Sequence, residues 1–306
     1  MIEKPIYRNP QKGFVLLFVL AALVLVVALF LGISLASREQ VIQANANRVV
    51  LETEQDLKSV VQMVLAKVSL DLDIASPGNL FETGQLRKPA DYEPWSASPE
   101  TRWLTYNGVS YGIDLTDARW LPDVNTIEAH EWPSLFRMLG MDESEAQWAA
   151  HAILEKKDVV LGRHGGYQNF NQFFSVLNMA PTIRYGSRDG KVLGLLHLVA
   201  VGTANRATHP SFTPPLVYRA LYNASDEQLK KLMALRSKGP VTRQQEAELF
   251  GMAGQPAVAN TPPALLKAVV APDPSTGSKG AAGIVAFIAV NGMQARLVSE
   301  HLFYRE

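Results

Sequence analysis

The feature that constrains this chain most is an apolar run near its N-terminus. Residues 14–36 contain no charged side chain, and about 20 apolar residues are enough for a helix to cross a bilayer. The preceding residues 1–13 carry three basic side chains against one acidic side chain, and basic flanks stay in the cytoplasm. The sequence therefore predicts a single membrane-spanning helix at 14–36, with the N-terminus cytoplasmic and the C-terminal domain on the opposite, periplasmic side.

A cleaved secretory signal peptide is the alternative interpretation of this run. Ser34-Leu35-Ala36 has the small-x-small pattern of a cleavage site. The apolar part of a signal peptide has about 7–15 residues, however, and this run is longer. The length favours a retained membrane helix.

An amphipathic pattern follows the apolar run directly. Residues 37–76 contain neither glycine nor proline, and apolar side chains recur there at helical spacing. These side chains are Ile42, Ala46, Val49, Val50, Leu57, Val60, Val61, Val64 and Val68. Pro77-Gly78 then supplies a stop signal. The sequence predicts one hydrophobic and then amphipathic helix over 14–76.

The overall composition excludes several classes of function. The chain has 306 residues, and 29 basic against 29 acidic side chains give a formal net charge of zero. Without a basic excess, no binding to nucleic acid is expected. The absence of cysteine excludes disulfides, thiolate metal sites and cysteine nucleophiles. The sequence contains neither an H-E-x-x-H motif nor a phosphate-binding glycine loop. We therefore predict that the protein is not an enzyme.

The junction between the basic leader and the apolar run has a specific pattern. In Lys12-Gly13-Phe14, glycine stands directly before the phenylalanine that opens the apolar helix. This junction, with residues 1–13 as the leader, resembles the type IV prepilin class of signal. The resemblance implies that a prepilin peptidase cleaves between Gly13 and Phe14 and that the new N-terminal Phe14 is methylated.

The fifth residue of the expected mature chain is the apolar Phe18. Major pilins carry glutamate at this position, where a buried carboxylate needs a partner. In lacking this glutamate, the chain resembles the K-type minor pseudopilin of the type II secretion system, the general secretion pathway protein K family. Later segments resemble that family as well, among them 109–117, 135–158 and 167–179.

This resemblance implies a subunit at the tip of the periplasmic pseudopilus, which helps to initiate, cap and control pseudopilus assembly for the export of folded proteins across the outer membrane. The implied partners are the I- and J-type minor pseudopilins, the other pseudopilins, the prepilin peptidase, the inner-membrane assembly platform and the lipid bilayer. The implied location is the inner membrane, and the pseudopilus after assembly. The alternative is a bitopic inner-membrane receptor or adaptor with a periplasmic domain, unrelated to pili.

The resemblance also implies calcium as a structural ion, although the sequence predicts no obligatory cofactor. Calcium takes six to eight oxygen ligands. The candidate ligands are Asp114, Asp117, Asp123 and Asn125. Residues of these types also cap their own backbone in turns, so local hydrogen bonding is the alternative interpretation.

Two groups of predicted strands enclose a predicted helical region. Residues 77–121 contain a linker and the first strands, where Asn107-Gly108 predicts a hairpin. Residues 281–306 predict a C-terminal β-hairpin around Asn291-Gly292. The expected fold is α+β, in which a pilin-like long N-terminal α-helix packs on an antiparallel β-sheet that carries a large inserted all-α domain.

The inserted domain is predicted at residues 122–270, as two helix-turn-helix lobes. Each lobe contains a capping-box pattern, Asp142-x-x-Glu145 in the first and Ser225-x-x-Gln228 in the second. Thr213-Pro214-Pro215 and Thr261-Pro262-Pro263 place proline where a helix begins.

Overall fold

The computed structural model describes residues 11–75, 93–98, 100–164, 166–176, 179–187, 193–204, 208–251, 265–273, 282–291 and 294–304, with side chains except at 11–16, 158–164 and 304. The chain divides into two units, Met1–Glu52 and Thr53–Glu306.

The first element is the long helix that the sequence predicts. α1 spans Gln11–Ala75, compared with the predicted 14–76. The helix therefore already includes the last residues of the predicted leader, and Ser76 lies outside the described residues. The absence of proline between Gln11 and Ala75 allows the backbone hydrogen bonds of a helix to continue throughout.

Within the described ranges, five strands form one antiparallel sheet, in the order β1-β2-β3-β4-β5. They are β1 (Arg102–Tyr106), β2 (Val109–Asp117), β3 (Leu265–Pro272), β4 (Ala282–Asn291) and β5 (Gln294–Tyr304). β2 pairs directly with β3, although the whole helical insertion separates them in the chain. The sheet is a meander that the insertion interrupts once.

The hairpin predicted at Asn107-Gly108 is confirmed. Both residues have positive φ, 49° and 76°, as a type I′ turn requires, and Tyr106 pairs with Val109 across the turn. The side-chain amide of Asn107 also donates a hydrogen bond to Asp56 Oδ1 (2.9 Å), which ties the turn to α1. In the C-terminal hairpin Asn291 pairs with Gln294, and residues 292–293 lie outside the described residues.

The predicted helical insertion 122–270 is wrong at its C-terminal end, because the chain from Leu265 onward forms β3. β3 is the central strand of the sheet and is covered on both faces, so its apolar side chains form a continuous run instead of alternating with polar ones. Such a run does not distinguish a buried strand from a helix. Residues 252–264, including Thr261-Pro262-Pro263, lie outside the described residues.

The described residues of the insertion are mainly helical. The helices are α2 (Glu131–Met138), α3 (Glu143–His164), α4 (Phe170–Phe174), α5 (Pro181–Tyr185), α6 (Leu195–Leu198), α7 (Pro215–Tyr222), α8 (Asp226–Arg236) and α9 (Arg243–Phe250). The predicted capping box at Ser225 is present on α8, and Thr242 forms a second box on α9. At α3, Asp142 Oδ1 accepts a hydrogen bond from Glu145 N (2.8 Å).

Within Thr53–Glu306 the sheet is covered on both faces. One face packs against α1, whose fully buried side chains there are Leu57, Val60, Val61, Val64 and Val68. The other face packs against the insertion through Val269, Val285, Phe287 and Phe303. The predicted pilin-like α+β architecture is confirmed, with the insertion as a third layer on the face of the sheet opposite α1.

Candidate functional site

The predicted processing junction lies within α1. Gly13 and Phe14 both have helical backbone. The structure describes only the backbone at this point, so cleavage after Gly13 and methylation of Phe14 stay predictions.

From Leu17 onward, the N-terminal unit of α1 exposes apolar side chains. Phe18, the expected fifth mature residue, is 68% exposed, and Leu17 and Phe30 are exposed to a similar degree. The helix is long and apolar enough to cross a membrane. An exposed apolar surface of this extent is unusual for a protein in water, and it matches the hydrocarbon core of a bilayer. The Met1–Glu52 unit therefore fits a single-pass membrane anchor.

The structure separates the first two calcium candidates. Asp114 and Asp117 lie three residues apart on β2, so their side chains project from opposite faces of the sheet. Asp114 Oδ1 accepts a hydrogen bond from Thr101 Oγ1 (2.6 Å). Asp117 is buried, accepts a hydrogen bond from Arg119 N (2.9 Å) and pairs with the Arg119 guanidinium (2.6 Å). Asp117 thereby caps the short 3₁₀ turn Ala118–Trp120.

The structure brings Asp123 and Asn125 together as hydrogen-bonded neighbours. Oδ1 of the fully buried Asp123 accepts from Asn125 N (2.8 Å) and Nδ2 (2.9 Å). Oδ2 accepts from Thr203 Oγ1 (3.1 Å) and Ala204 N (2.8 Å), and Thr203 N donates to it as well. Asn125 in turn bonds the backbone N (2.8 Å) and O (3.0 Å) of Tyr167. Asp123 and Asn125 therefore connect three separate segments of the insertion.

The four candidate residues do not fit one shared calcium site. Both carboxylate oxygens of Asp123 face N–H or O–H donors, whose partial positive charge opposes a cation, whereas calcium needs free oxygen ligands. Among the side chains that the structure describes, no three histidines, aspartates or glutamates cluster where they could hold a metal. Asp117 and Asp123 instead bond nearby backbone, as the alternative interpretation expects. Calcium binding by this chain stays a prediction.

Residues 108–112 match the Gly-x-Ser-x-Gly pattern of hydrolase nucleophiles. The pattern marks a nucleophile when the serine occupies a sharp turn from a strand into a helix. Here Gly108 belongs to the hairpin turn, and Ser110 lies inside β2 opposite Thr105. The pattern therefore arises from the hairpin and does not form a nucleophile elbow.

The second lobe contains a buried polar cluster that sequence reasoning missed. Glu246 on α9 is 1% exposed, accepts hydrogen bonds from Thr208 Oγ1 (2.9 Å) and the Tyr218 hydroxyl, and pairs with Arg243. Burial, reinforced by the adjacent Glu246, raises the pKa of Tyr218. Burial and then the nearby Arg243 lower the pKa of His209. The cluster joins α7 to α9. The Thr242-x-x-Gln245 pattern indicates the beginning of α9, but no sequence pattern indicates that Glu246 is buried.

Glu246→Ala is expected to lower the free energy of unfolding by about 3–5 kcal/mol, the usual result of removing one partner from a buried ion pair. The substitution leaves the buried Thr208 and Tyr218 hydroxyls and the Arg243 guanidinium without their acceptor. Urea denaturation measures the change, and Glu248→Ala, at an exposed position of the same helix, is the control. Equal losses in the two variants would contradict the role given to Glu246.

Lys267 is a buried lysine between the sheet and the insertion. Its Nζ donates to Val199 O (2.9 Å) and to Leu196 O, near the C-terminal end of α6, and lies 5.4 Å from the centroid of the Phe170 ring. Burial lowers its pKa to about 7, and the attraction of Asp114 only partly opposes this effect. The one sequence signal was a charged residue within the apolar run of β3.

Comparison with known proteins gives a structural likeness. No protein-family model matches the chain, and no curated protein matches it. Among solved structures, it is similar to a chain in the crystal structure of the GspK-GspI-GspJ complex from the type 2 secretion system of enterotoxigenic Escherichia coli. The two chains are 15% identical with a TM-score of 0.40, and the match covers 84% of this chain and 98% of that chain.

Proposed function

We propose that this chain is a K-type minor pseudopilin of the type II secretion system, a non-enzymatic subunit that helps to initiate, cap and control the pseudopilus. The observation that carries the proposal is the Lys12-Gly13-Phe14 junction at the start of α1. A receptor or adaptor anchored by a stalk needs an apolar helix, but anchoring gives no reason for a glycine before the first apolar residue. Prepilin processing does give that reason.

The proposed position is the tip of the pseudopilus. Because Phe18 is apolar, the helix enters lipid without burying a charge and needs no charged partner there. The insertion adds a complete layer to the sheet face opposite α1, so the head is bulkier than a sheet with one helix. Such a head obstructs the packing of a further subunit above it, and at the tip no such subunit is required.

The proposed partners follow from that position. The I- and J-type minor pseudopilins contact the head from the side and below, and the assembly platform and prepilin peptidase act on the chain in the inner membrane. The N-terminus is cytoplasmic and the head is periplasmic, because residues 1–13 carry the basic excess that stays in the cytoplasm.

In cells with an active prepilin peptidase, the mature chain is expected to begin at N-methylated Phe14. Mass spectrometry of the N-terminal peptide measures this. Gly13→Leu is expected to leave the chain unprocessed with an unchanged membrane helix, because only the residue at the cleavage point differs. An intact Met1 terminus in the wild type, or cleavage after Ala36, would reject the proposal in favour of an anchored receptor or a cleaved signal.

A further inference from the structure

Among the residues that the structure describes, β1 is an edge strand of the sheet with no neighbour on its outer side. In the order β1-β2-β3-β4-β5, only β1 and β5 have one neighbouring strand. Tyr106 and Val109 flank a two-residue turn and exchange backbone hydrogen bonds. In an antiparallel pair, hydrogen-bonded residues alternate along each strand with residues whose N–H and C=O groups point away from the partner strand. The N–H and C=O groups of Trp103 and Thr105 therefore point away from β2. No residue in the described ranges bonds these outward groups.

The side chains of Trp103 and Thr105 are exposed on one face beside this edge. Trp103 is 55% exposed. Its indole lies against the backbone of Gly112 on β2, where an added Cβ would stand 3.2 Å from the ring. The insertion packs on this face through residues of β3, β4 and β5 and leaves Trp103 uncovered. The edge therefore offers backbone hydrogen-bonding groups together with an aromatic contact surface.

The opposite edge is protected. β5 contains a bulge, because Phe287 pairs with Ser299 and the next residue, Ile288, pairs with Leu297, which leaves Val298 as an extra residue. On the insertion face of the sheet, Tyr185 of α5 also stacks on Phe303 of β5, with ring centroids 5.2 Å apart. Bulges and covering elements are the devices that prevent edge-to-edge pairing. β1, in contrast, pairs with β2 in regular register at each of its residues.

We propose that β1 docks an extended strand from a neighbouring pseudopilin subunit, an inference that rests on the function proposed above. The strand bonds the outward backbone groups of Trp103 and Thr105 and places an apolar side chain on the Trp103 indole. In this mode of recognition, backbone hydrogen bonds provide affinity and alternate side chains provide specificity.

The charges around the edge define the chemistry of that strand. Asp114 projects from the same face as Trp103, and the exposed Glu100 stands just before β1. The basic Arg102 of β1 projects from the opposite face, where its guanidinium lies 5.3 Å from the centroid of the Trp95 ring. These carboxylates favour a strand with a basic residue next to its apolar one. They disfavour a second copy of this chain, which would bring the same acidic groups together, and they disfavour an anionic lipid surface.

Two variants of the full chain test the edge, each co-purified in detergent with the I- and J-type subunits. Thr105→Pro removes an outward N–H without removing a bond to β2, and edge strands tolerate proline. Trp103→Ala removes the aromatic surface. Both variants are expected to bind the two subunits at least tenfold more weakly. Trp148→Ala, which removes a tryptophan that is 61% exposed on α3, is the matched control and is expected to bind normally.

The outcomes separate this inference from the proposed function. If the wild-type chain does not associate with the two subunits, both proposals fail. If it associates and the two edge variants bind as tightly as the Trp148→Ala control, only the strand-docking inference fails. If the chain alone forms a dimer that Thr105→Pro dissociates, the occupant is a second copy and the inference is equally wrong.

A cross-linking experiment covers the case in which Thr105→Pro does not fold. The chain has no cysteine, so Thr105→Cys introduces a unique thiol for a photoreactive maleimide. Cross-links from position 105 to an I- or J-type subunit, together with none from Trp148→Cys, are the expected result. Cross-links at equal yield from both positions would overturn the inference.

Discussion

Asp123→Ala is expected to lower the free energy of unfolding by about 3–5 kcal/mol, because each buried donor left without an acceptor costs about 1–3 kcal/mol. The wild-type carboxylate is fully buried and accepts hydrogen bonds from Asn125, Thr203 and Ala204. Alanine removes the carboxylate from this buried position and leaves its donors, on the half-buried Asn125 and Thr203 and on the exposed Ala204, without their acceptor. Urea denaturation of residues 38–306, followed by circular dichroism, measures the change, since the buried clusters of the described chain all lie beyond Glu52.

Asp142→Ala is the matched control for this change. Asp142 also accepts a backbone hydrogen bond, from Glu145 N (2.8 Å), but at an exposed helix terminus, where loss of a cap costs about 1 kcal/mol. The same two variants also test whether Asp123 binds calcium. If chelation with EDTA destabilises the wild type as much as Asp123→Ala does, and leaves the variant unchanged, Asp123 is a calcium ligand and its assignment as a hydrogen-bond acceptor is wrong.

Local patterns in the sequence predicted the elements whose structure depends on neighbouring residues. Helix α1 follows from a run without proline, the first hairpin follows from Asn107-Gly108, and the cap of α8 follows from Ser225-x-x-Gln228. In each case the residues that decide the structure lie within a few positions of one another. Asn-Gly hairpin patterns likewise predicted one group of strands before the helical insertion and one group after it.

The errors concern residues whose partners are distant in the chain. The sequence pattern assigns β3 to the insertion, because a strand buried on both faces lacks the alternation of a half-buried one. The sequence also gives no sign that Asp123, a calcium candidate by family resemblance, accepts hydrogen bonds from Thr203 and Ala204, which lie about eighty residues away. The free edge at β1 likewise depends on strand order, which the sequence of β1 does not contain.

Lys267 is expected to make the stability of the head depend on pH between 7 and 10. Burial lowers its pKa from 10.5 to about 7 in the folded chain. In this interval the unfolded chain binds a proton at Lys267 and the folded chain does not, so the free energy of unfolding rises with pH. At 1.36 kcal/mol per pKa unit, the rise from pH 7.5 to 9.5 is about 2–3 kcal/mol. Below pH 7 both states are protonated, and the contribution becomes constant.

Lys267→Met isolates this effect, because methionine has a similar shape and no proton to bind. Urea denaturation of residues 38–306 at pH 7.5 and 9.5 should show a rise in stability that is about 2–3 kcal/mol smaller in the variant. Lys230→Met, at an exposed position on α8, should keep the wild-type rise. The upper pH stays below 10 because burial raises the pKa of Tyr111 and Tyr167 to about 12, which lowers stability at higher pH. If the wild type and Lys267→Met gain the same stability, the lysine between sheet and insertion is charged in the folded chain, and its two carbonyl partners and Asp114 fully offset its burial.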